Sequence, residues 1–201
     1  VYNNIKFIKK YISTKKNGKI LYIKFQRQNL GPVRNNISAS YDLSSHDLSI
    51  FLYLFNAPPK LIKNSSHSIL KKNIADISNL SFKFKNFFID INNSWLNPDK
   101  IRRITVISDK KMLLFNEMES SNKIKIFNKY ARYPKISYFD NKFFNKKAKI
   151  YFGKNFSPKV KQNDSLTDEI KYFFNCVKKK TKPITDIHFA LKILKILKKI
   201  N

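Results

Sequence analysis

Glycine is nearly missing from this chain of 201 residues: three are present, Gly18, Gly31 and Gly153. They are too few and too far apart to form a Gly-x-Gly-x-x-Gly phosphate-cradling turn, so a dinucleotide-binding loop of that kind is excluded from the chain. The single cysteine, Cys176, excludes an internal disulfide and a cysteine-rich zinc site. With no second thiol, the chain fits a reducing compartment, and the cytoplasm is its expected location. No apolar run approaches the ~18 residues of a membrane-spanning helix, and no basic-then-apolar leader pattern opens the sequence. Val1 stands where an initiating Met would, so the chain is expected to begin inside a longer protein. Histidine is scarce (His46, His67 and His188), as is arginine, with five (Arg27, Arg34, Arg102, Arg103 and Arg132).

Lysine is what the chain has in excess. Basic residues number 41 against 13 acidic ones, for a net charge of +28, and 41 − 5 leaves 36 lysines. Such a charge invites a nucleic acid or an anionic membrane as partner. Base-reading surfaces favour arginine, however, whose planar fork pairs bidentately with guanine and phosphate. The abundant residues here (Lys, Asn, Ile, Phe, Tyr) have AT-rich codons and the scarce ones (Gly, Arg) mostly GC-rich ones. The basicity therefore reads chiefly as a coding bias carried on solvated faces. Apolar residues make up 42%, including 18 Phe and 10 Tyr, too many for a disordered segment. The length suits one or two domains with a proper core.

Along the chain, Ile5, Ile8 and Ile12 recur at helical spacing over 4–15, and Asn17-Gly18 makes a turn. Residues 19–27 are β-branched and aromatic and predict a strand. Gly31-Pro32 opens a loop to about Ser40, and a helix over Asp42–Phe55 stops at Ala57-Pro58-Pro59. Lys60 to Phe152 is mainly strands, clearest at 81–91, 101–107, 111–115, 123–127 and 148–152. Ser108-Asp109-Lys110 reads as a hairpin tip, and Asn/Lys-rich loops fall at 116–123 and 139–147. Consecutive strands without helices between them predict an antiparallel sheet. Two helices follow. The first is capped by Ser165 with Asp168 three residues on, carries the stripe Leu166, Ile170, Phe173, Phe174 and Val177, and ends at Lys182-Pro183. The second spans about 187–200, with Lys192, Lys195 and Lys199 on its solvated side. The fold class is α+β: a mainly antiparallel open sheet with helices on one face and two C-terminal helices.

One segment carries chemistry. Tyr41-Asp42-Leu43-Ser44-Ser45-His46-Asp47-Leu48 sets a carboxylate four residues before a histidine, ahead of the apolar run Ile50–Phe55. With a helix starting near Ser44, Asp42 lies at its entrance and His46 in its first turn, within reach of the carboxylate. A carboxylate steering an imidazole near neutral pKa is a common way to build a general base. Asp47 reads as a charge favouring the positive helix end, without a chemical role. Arg27, Asn29 and Arg34 flank Gly31-Pro32 just before this pair and are candidates to bind a substrate phosphate or carboxylate. His67 and His188 read as surface residues, and Cys176 as a small buried hydrophobe. Trp95 and the Phe-rich segment 81–91 read as core or subunit interface. A sheet face rich in exposed aromatics would need covering, which predicts self-association.

The order of these motifs resembles the C-terminal part of the glucose–fructose oxidoreductase / inositol dehydrogenase (Gfo/Idh/MocA) family of NAD(P)-dependent enzymes, in its sugar-nucleotide-dehydrogenase-like subgroup. The resemblance rests on Val1-Tyr2-Asn3-Asn4, Ile20-Leu21-Tyr22-Ile23, Asn29-Leu30-Gly31-Pro32, Tyr41 through Ile50, Ser94-Trp95-Leu96-Asn97-Pro98, Arg102 through Val106 and Lys182-Pro183-Ile184-Thr185-Asp186. Tyr41 stands where the subgroup often has Trp, and Asp186-Ile187-His188 lacks a common glycine. The resemblance implies three parts. Residues 1–18 are a helix leaving the absent Rossmann domain, residues 19–164 a substrate-binding and oligomerisation domain, and residues 165–201 two helices, the last packing back towards the nucleotide-binding half. It implies His46 as the base taking a hydroxyl proton and Asp42 as its partner. It also implies NAD or NADP as cofactor, a sugar or sugar nucleotide as substrate, no metal, and a homo-oligomer formed through the open sheet. The lysine of the family's Glu-Lys-Pro motif belongs to the absent half, so the chain is expected to be inactive alone. Two other readings remain open: a basic nucleic-acid-binding protein, and a remnant that folds poorly.

Overall fold

A computed structural model describes residues 3–133, 147–162 and 164–200. Helix α1 (Asn3–Ser13) buries Ile5, Ile8 and Tyr11 at three-residue spacing. It ends short of Lys15 because the Ser13 and Thr14 hydroxyls both donate to the Lys10 carbonyl, at 2.9 and 2.7 Å. Strand β1 (Ile20–Leu30) follows, then α2 (Ala39–Phe55), β2 (Lys60–His67), β3 (Ile77–Phe84), β4 (Phe87–Ser94), β5 (Leu96–Ser108), β6 (Met112–Asn116) and β7 (Ile124–Phe127). A small hairpin, β8 (Lys129–Arg132) with β9 (Lys149–Phe152), and helices α3 (Ser165–Lys179) and α4 (Ile187–Leu197) complete the chain. The loop expected at 139–147 falls outside the described residues but for its last position.

The seven strands β1–β7 form one sheet in the order β2-β3-β4-β1-β5-β6-β7. Every pairing is antiparallel except β1 with β4. The fold is thus α+β on an open, mainly antiparallel sheet. Helices α1, α2 and α4 cover one face, where Ile8, Leu48, Phe51, Leu54, Ile196 and Leu197 join Ile23, Phe25, Leu80 and Ile89 in a common core. Among the described residues no helix layer covers the other face, which is mostly polar over β3 and β4 and apolar at Ile107, Met112, Leu114 and Phe127 of β5–β7. Tyr22 donates to Asp90 at 2.7 Å, Ser81 donates to the other Asp90 oxygen at 2.7 Å, and Asn92 donates to Asn79 at 2.8 Å.

Two expectations are corrected. The segment 81–91 is not one strand: the chain reverses at Lys85-Asn86, with Phe84 opposite Phe87 and Lys85 in the left-handed region at φ 51°. No glycine marks this turn, which hid it. The reversal also turns Phe82, Phe84 and Phe87 into the core and leaves Phe88 outside, 52% exposed. Tyr22 on β1 and Phe127 on β7 share that open face. Helix α3 is capped by Asp164, not Ser165, and stops at Lys179; Asp164 accepts from the Thr167 amide at 2.9 Å. Its apolar stripe Leu166, Ile170, Phe173, Phe174 and Val177 is exposed, whereas Cys176 is buried.

Helix α2 begins three residues before Asp42. Ser38 caps it by accepting from the Tyr41 amide at 3.3 Å, and the Ala39 amide donates to the Ala75 carbonyl at 2.7 Å. Asn56, in the left-handed region at φ 57°, ends it ahead of Pro58-Pro59. Ser38→Ala is expected to lower unfolding free energy by about 1 kcal/mol, measured by urea denaturation. A variant as stable as the parent would deny the cap its role.

Candidate active site

Successive helical residues point about 100° apart, and α2 uses that angle to give His46 and Asp47 opposite fates. Leu48, Phe51 and Leu54 face the sheet. Asp47 goes down with them and is buried, whereas His46 emerges at the edge of a cleft of about 450 Å³. Arg27, His46, Tyr53, Glu117, Lys123 and Tyr172 are among the residues lining it. They come from β1, α2, the β6–β7 turn and α3, so one wall is strand, one helix and one loop. The Lys9 ammonium lies 4.2 Å from the Tyr53 ring centre, a cation–π contact that fixes this aromatic at the rim.

Beneath His46 the sheet supplies a row of polar side chains. Strand register sets Arg27 beside Asn93 on one flank and Arg102 on the other. The Arg27 Nε donates to Asp47 Oδ1 at 3.1 Å, with Nη2 at 3.1 Å from the same oxygen. Asn93 donates to Asp47 Oδ2 at 3.4 Å and accepts from the Ser44 hydroxyl. Arg102 donates to the Gln28 and Ile101 carbonyls at 3.2 and 3.0 Å and to Asn29 Oδ1 at 2.7 Å. Burial pushes the Asp47 carboxyl above the usual carboxylate range, and the Arg27 charge and hydrogen bonds from Arg27 and Asn93 pull it back. His46 is held below its ordinary value of 6.5. The protein around its ring, which disfavours the imidazolium, is the main cause; Arg27 adds to it, and Asp47 and Asp42 oppose it. The imidazole therefore holds a proton less tightly than a free histidine does.

The expected site residues do not all converge. Asp42 lies in the first turn of α2 and His46 in the second. Among the described residues no hydrogen bond joins them, and Asp42 instead pairs with Arg34 at 3.3 Å, a half-exposed ion pair. Asn29 is engaged by Arg102. Of Arg27, Asn29 and Arg34, Arg27 lines the cleft and the other two do not. Sequence reasoning missed Asp47, Asn93 and Ser44. The available signal was an ionisable residue on the face of α2 shared by Leu43, Leu48 and Phe51, a placement that calls for a partner. Among the described residues no three His, Cys, Asp or Glu side chains gather as a metal site. The three glycines lie apart in sequence, so a dinucleotide's phosphates have no glycine-rich cradle in this chain.

The fold is shared with part of several solved dehydrogenases. The chain superposes over its whole length on UDP-N-acetylglucosamine 3-dehydrogenase GnnA from Acidithiobacillus ferrooxidans, with a TM-score of 0.70, 16% identity and 57% of that chain covered. The dehydrogenase MviM from Clostridium difficile matches 98% of the chain at a TM-score of 0.63 and 18% identity, with 59% of that protein covered. WlbA dehydrogenase from Bordetella pertussis, solved in complex with NADH and UDP-GlcNAcA, matches 98% at a TM-score of 0.65 and 14% identity, with 55% covered. At these identities the likeness shows the fold, and the chain spans little more than half the length of each neighbour. No family model and no curated protein sequence matches the chain. Among the described residues no helix is long and apolar enough to cross a membrane.

Proposed function

We propose that this chain is the substrate-side half of an NAD(P)-dependent dehydrogenase that oxidises a secondary alcohol of a sugar or sugar nucleotide. The observation that carries the reading is His46, standing with Arg27 at a cleft on a fold shared with sugar-nucleotide dehydrogenases. His46 takes the substrate hydroxyl proton on an imidazole nitrogen as the carbinol C–H bond breaks and the carbonyl forms. The nicotinamide, held by a dinucleotide-binding half, is the hydride acceptor. Asp42 acts on His46 through its charge, one helical turn away, stabilising the imidazolium as it forms. Arg27 contacts the substrate, while Asn29 and Arg34 serve from outside the cleft, Asn29 by holding Arg102 and Arg34 by holding Asp42. The chain alone is inactive, because the hydride acceptor has no seat in it. A second copy docks through the open sheet, as the family resemblance implies, where Ile107, Met112, Leu114 and Phe127 supply apolar contact.

The test is to read the coding frame upstream of Val1, express the complete protein and follow nicotinamide reduction with UDP-sugars. Protonated His46 cannot accept a proton, so kcat/KM should rise with pH and level off above a break lying below 6.5, the ordinary histidine value. A profile flat through that range, or no dinucleotide-binding half for the chain to work with, would overturn the reading.

A further inference from the structure

Asp47 is 2% exposed and adjoins His46, yet it does not line the cleft. Its Oδ1 takes both Nε and Nη2 of Arg27, its Oδ2 takes Asn93, and Asn93 accepts from Ser44, itself fully buried. A buried ion pair is no more stabilising than well-packed apolar residues of the same volume. Stability alone therefore does not account for this chain of polar contacts, and what it holds is the point of interest. Of the four residues, Arg27 alone reaches the cleft. Because Asp47 grips it along the Nε–Nη2 edge, Nη1 has no partner among the described residues. Arg102, opposite Arg27 in the register, has both terminal nitrogens engaged by uncharged acceptors. Two guanidiniums over one buried carboxylate leave a positive excess. That excess is local to the Arg27–Arg102 pair: the cleft is also lined by the carboxylates Glu117, Asp168 and Glu169 and by the ammoniums Lys123 and Lys161.

We propose that Asp47 is a positioning residue that clamps the Arg27 guanidinium side-on, so that its free Nη1 edge seats an oxyanion of the substrate, phosphate or carboxylate, next to His46. This rests on the dehydrogenase reading, which makes the cleft the substrate site. It reverses the expectation that Asp47 serves only the helix end. A planar fork held in advance binds such an oxyanion with little further ordering.

The clamp is testable without turnover. With 15N-arginine label, only five arginines contribute side-chain signals. Rotation about the Arg27 Cζ–Nε bond should be slow, with Nη1 and Nη2 distinct, while the half-exposed Arg34 averages. Inorganic phosphate or glucuronate, but not glucose, should shift the Arg27 signals, and the tighter of the two identifies the anion's source. Asp47→Asn should restore free rotation and weaken anion binding by at least about tenfold. Should that variant fail to fold, Arg27→Lys, which keeps the charge and loses the fork, is expected to weaken binding similarly. The proposal is overturned if wild-type Arg27 rotates as freely as Arg34, if neither anion shifts it, or if either variant binds as the parent does. A dehydrogenase that needs His46 but shows a freely rotating Arg27 would sink the clamp alone. A clamped, anion-binding Arg27 in a complete protein indifferent to His46 would sink the dehydrogenase reading alone.

Discussion

Replacing His46 by alanine in the complete protein is expected to reduce turnover by about 10²–10⁴-fold, the range a positioned general base contributes, with cofactor affinity nearly unchanged. Alanine suits this position, because it is the best helix former and His46 lies on the exposed side of α2. The fold should persist, so lost rate reports lost chemistry. Water in the vacated space is a weak substitute, since it must find its own orientation at each turnover. The other two histidines are natural controls. His67 is exposed on β2, and its ring lies 3.4 Å from the Ser65 hydroxyl; His188 is exposed in the first turn of α4. Neither lines the cleft, and alanine at either should leave kcat within about twofold, the spread expected of surface changes. Full activity in His46→Ala would remove the residue from the mechanism, whatever the fold resembles.

What was legible depended on whether the governing contact is local. The helix around His46 could be read from its apolar run and its Pro-Pro stop, but not its start. Ser38 becomes the cap only because Ala39 is tied to Ala75, a contact between segments distant in sequence. The reversal at Lys85 was illegible for a different reason. Phe-Lys-Phe-Lys-Asn-Phe-Phe-Ile continues to read as strand across the turn, and a lysine in the left-handed region leaves no compositional mark. At the site, Asp42 and His46 were singled out because four-residue spacing is visible along a chain. Asp47 depends on Arg27 and Asn93, which reach it from two strands whose parallel pairing no local pattern announces. The same long-range arithmetic sorted the three loop candidates, bringing Arg27 into the cleft, engaging Asn29 with Arg102 and drawing Arg34 to Asp42.

Trp95→Ala is the substitution expected to damage stability most. Trp95 is 1% exposed and packs with Ala39 and Leu43 of α2, while its amide donates to the Asp76 carbonyl at 3.0 Å. Large-to-alanine changes at buried aromatics remove about 3–5 kcal/mol, a large share of the roughly 5–15 kcal/mol that holds a typical domain. For a chain of this size the melting temperature should fall by roughly 6–20 °C. The cavity would open under the first turns of α2, between the β4–β5 junction and the segment bearing Asp42 and His46, so loss of packing and loss of site geometry should appear together. Phe88→Ala supplies the contrast. It removes an aromatic from the open face, where the ring is half exposed and faces no helix layer, and should change stability by no more than about 0.5 kcal/mol. Should Phe88→Ala instead lower the melting temperature in a manner that depends on protein concentration, a second copy covers that face, because only association makes stability depend on concentration. Should Trp95→Ala melt within 2–3 °C of the parent, roughly the effect of 1 kcal/mol, the anchoring of α2 would lie elsewhere, and the helix entrance would owe its position to the Ser38 cap and the Ala39–Ala75 hydrogen bond alone.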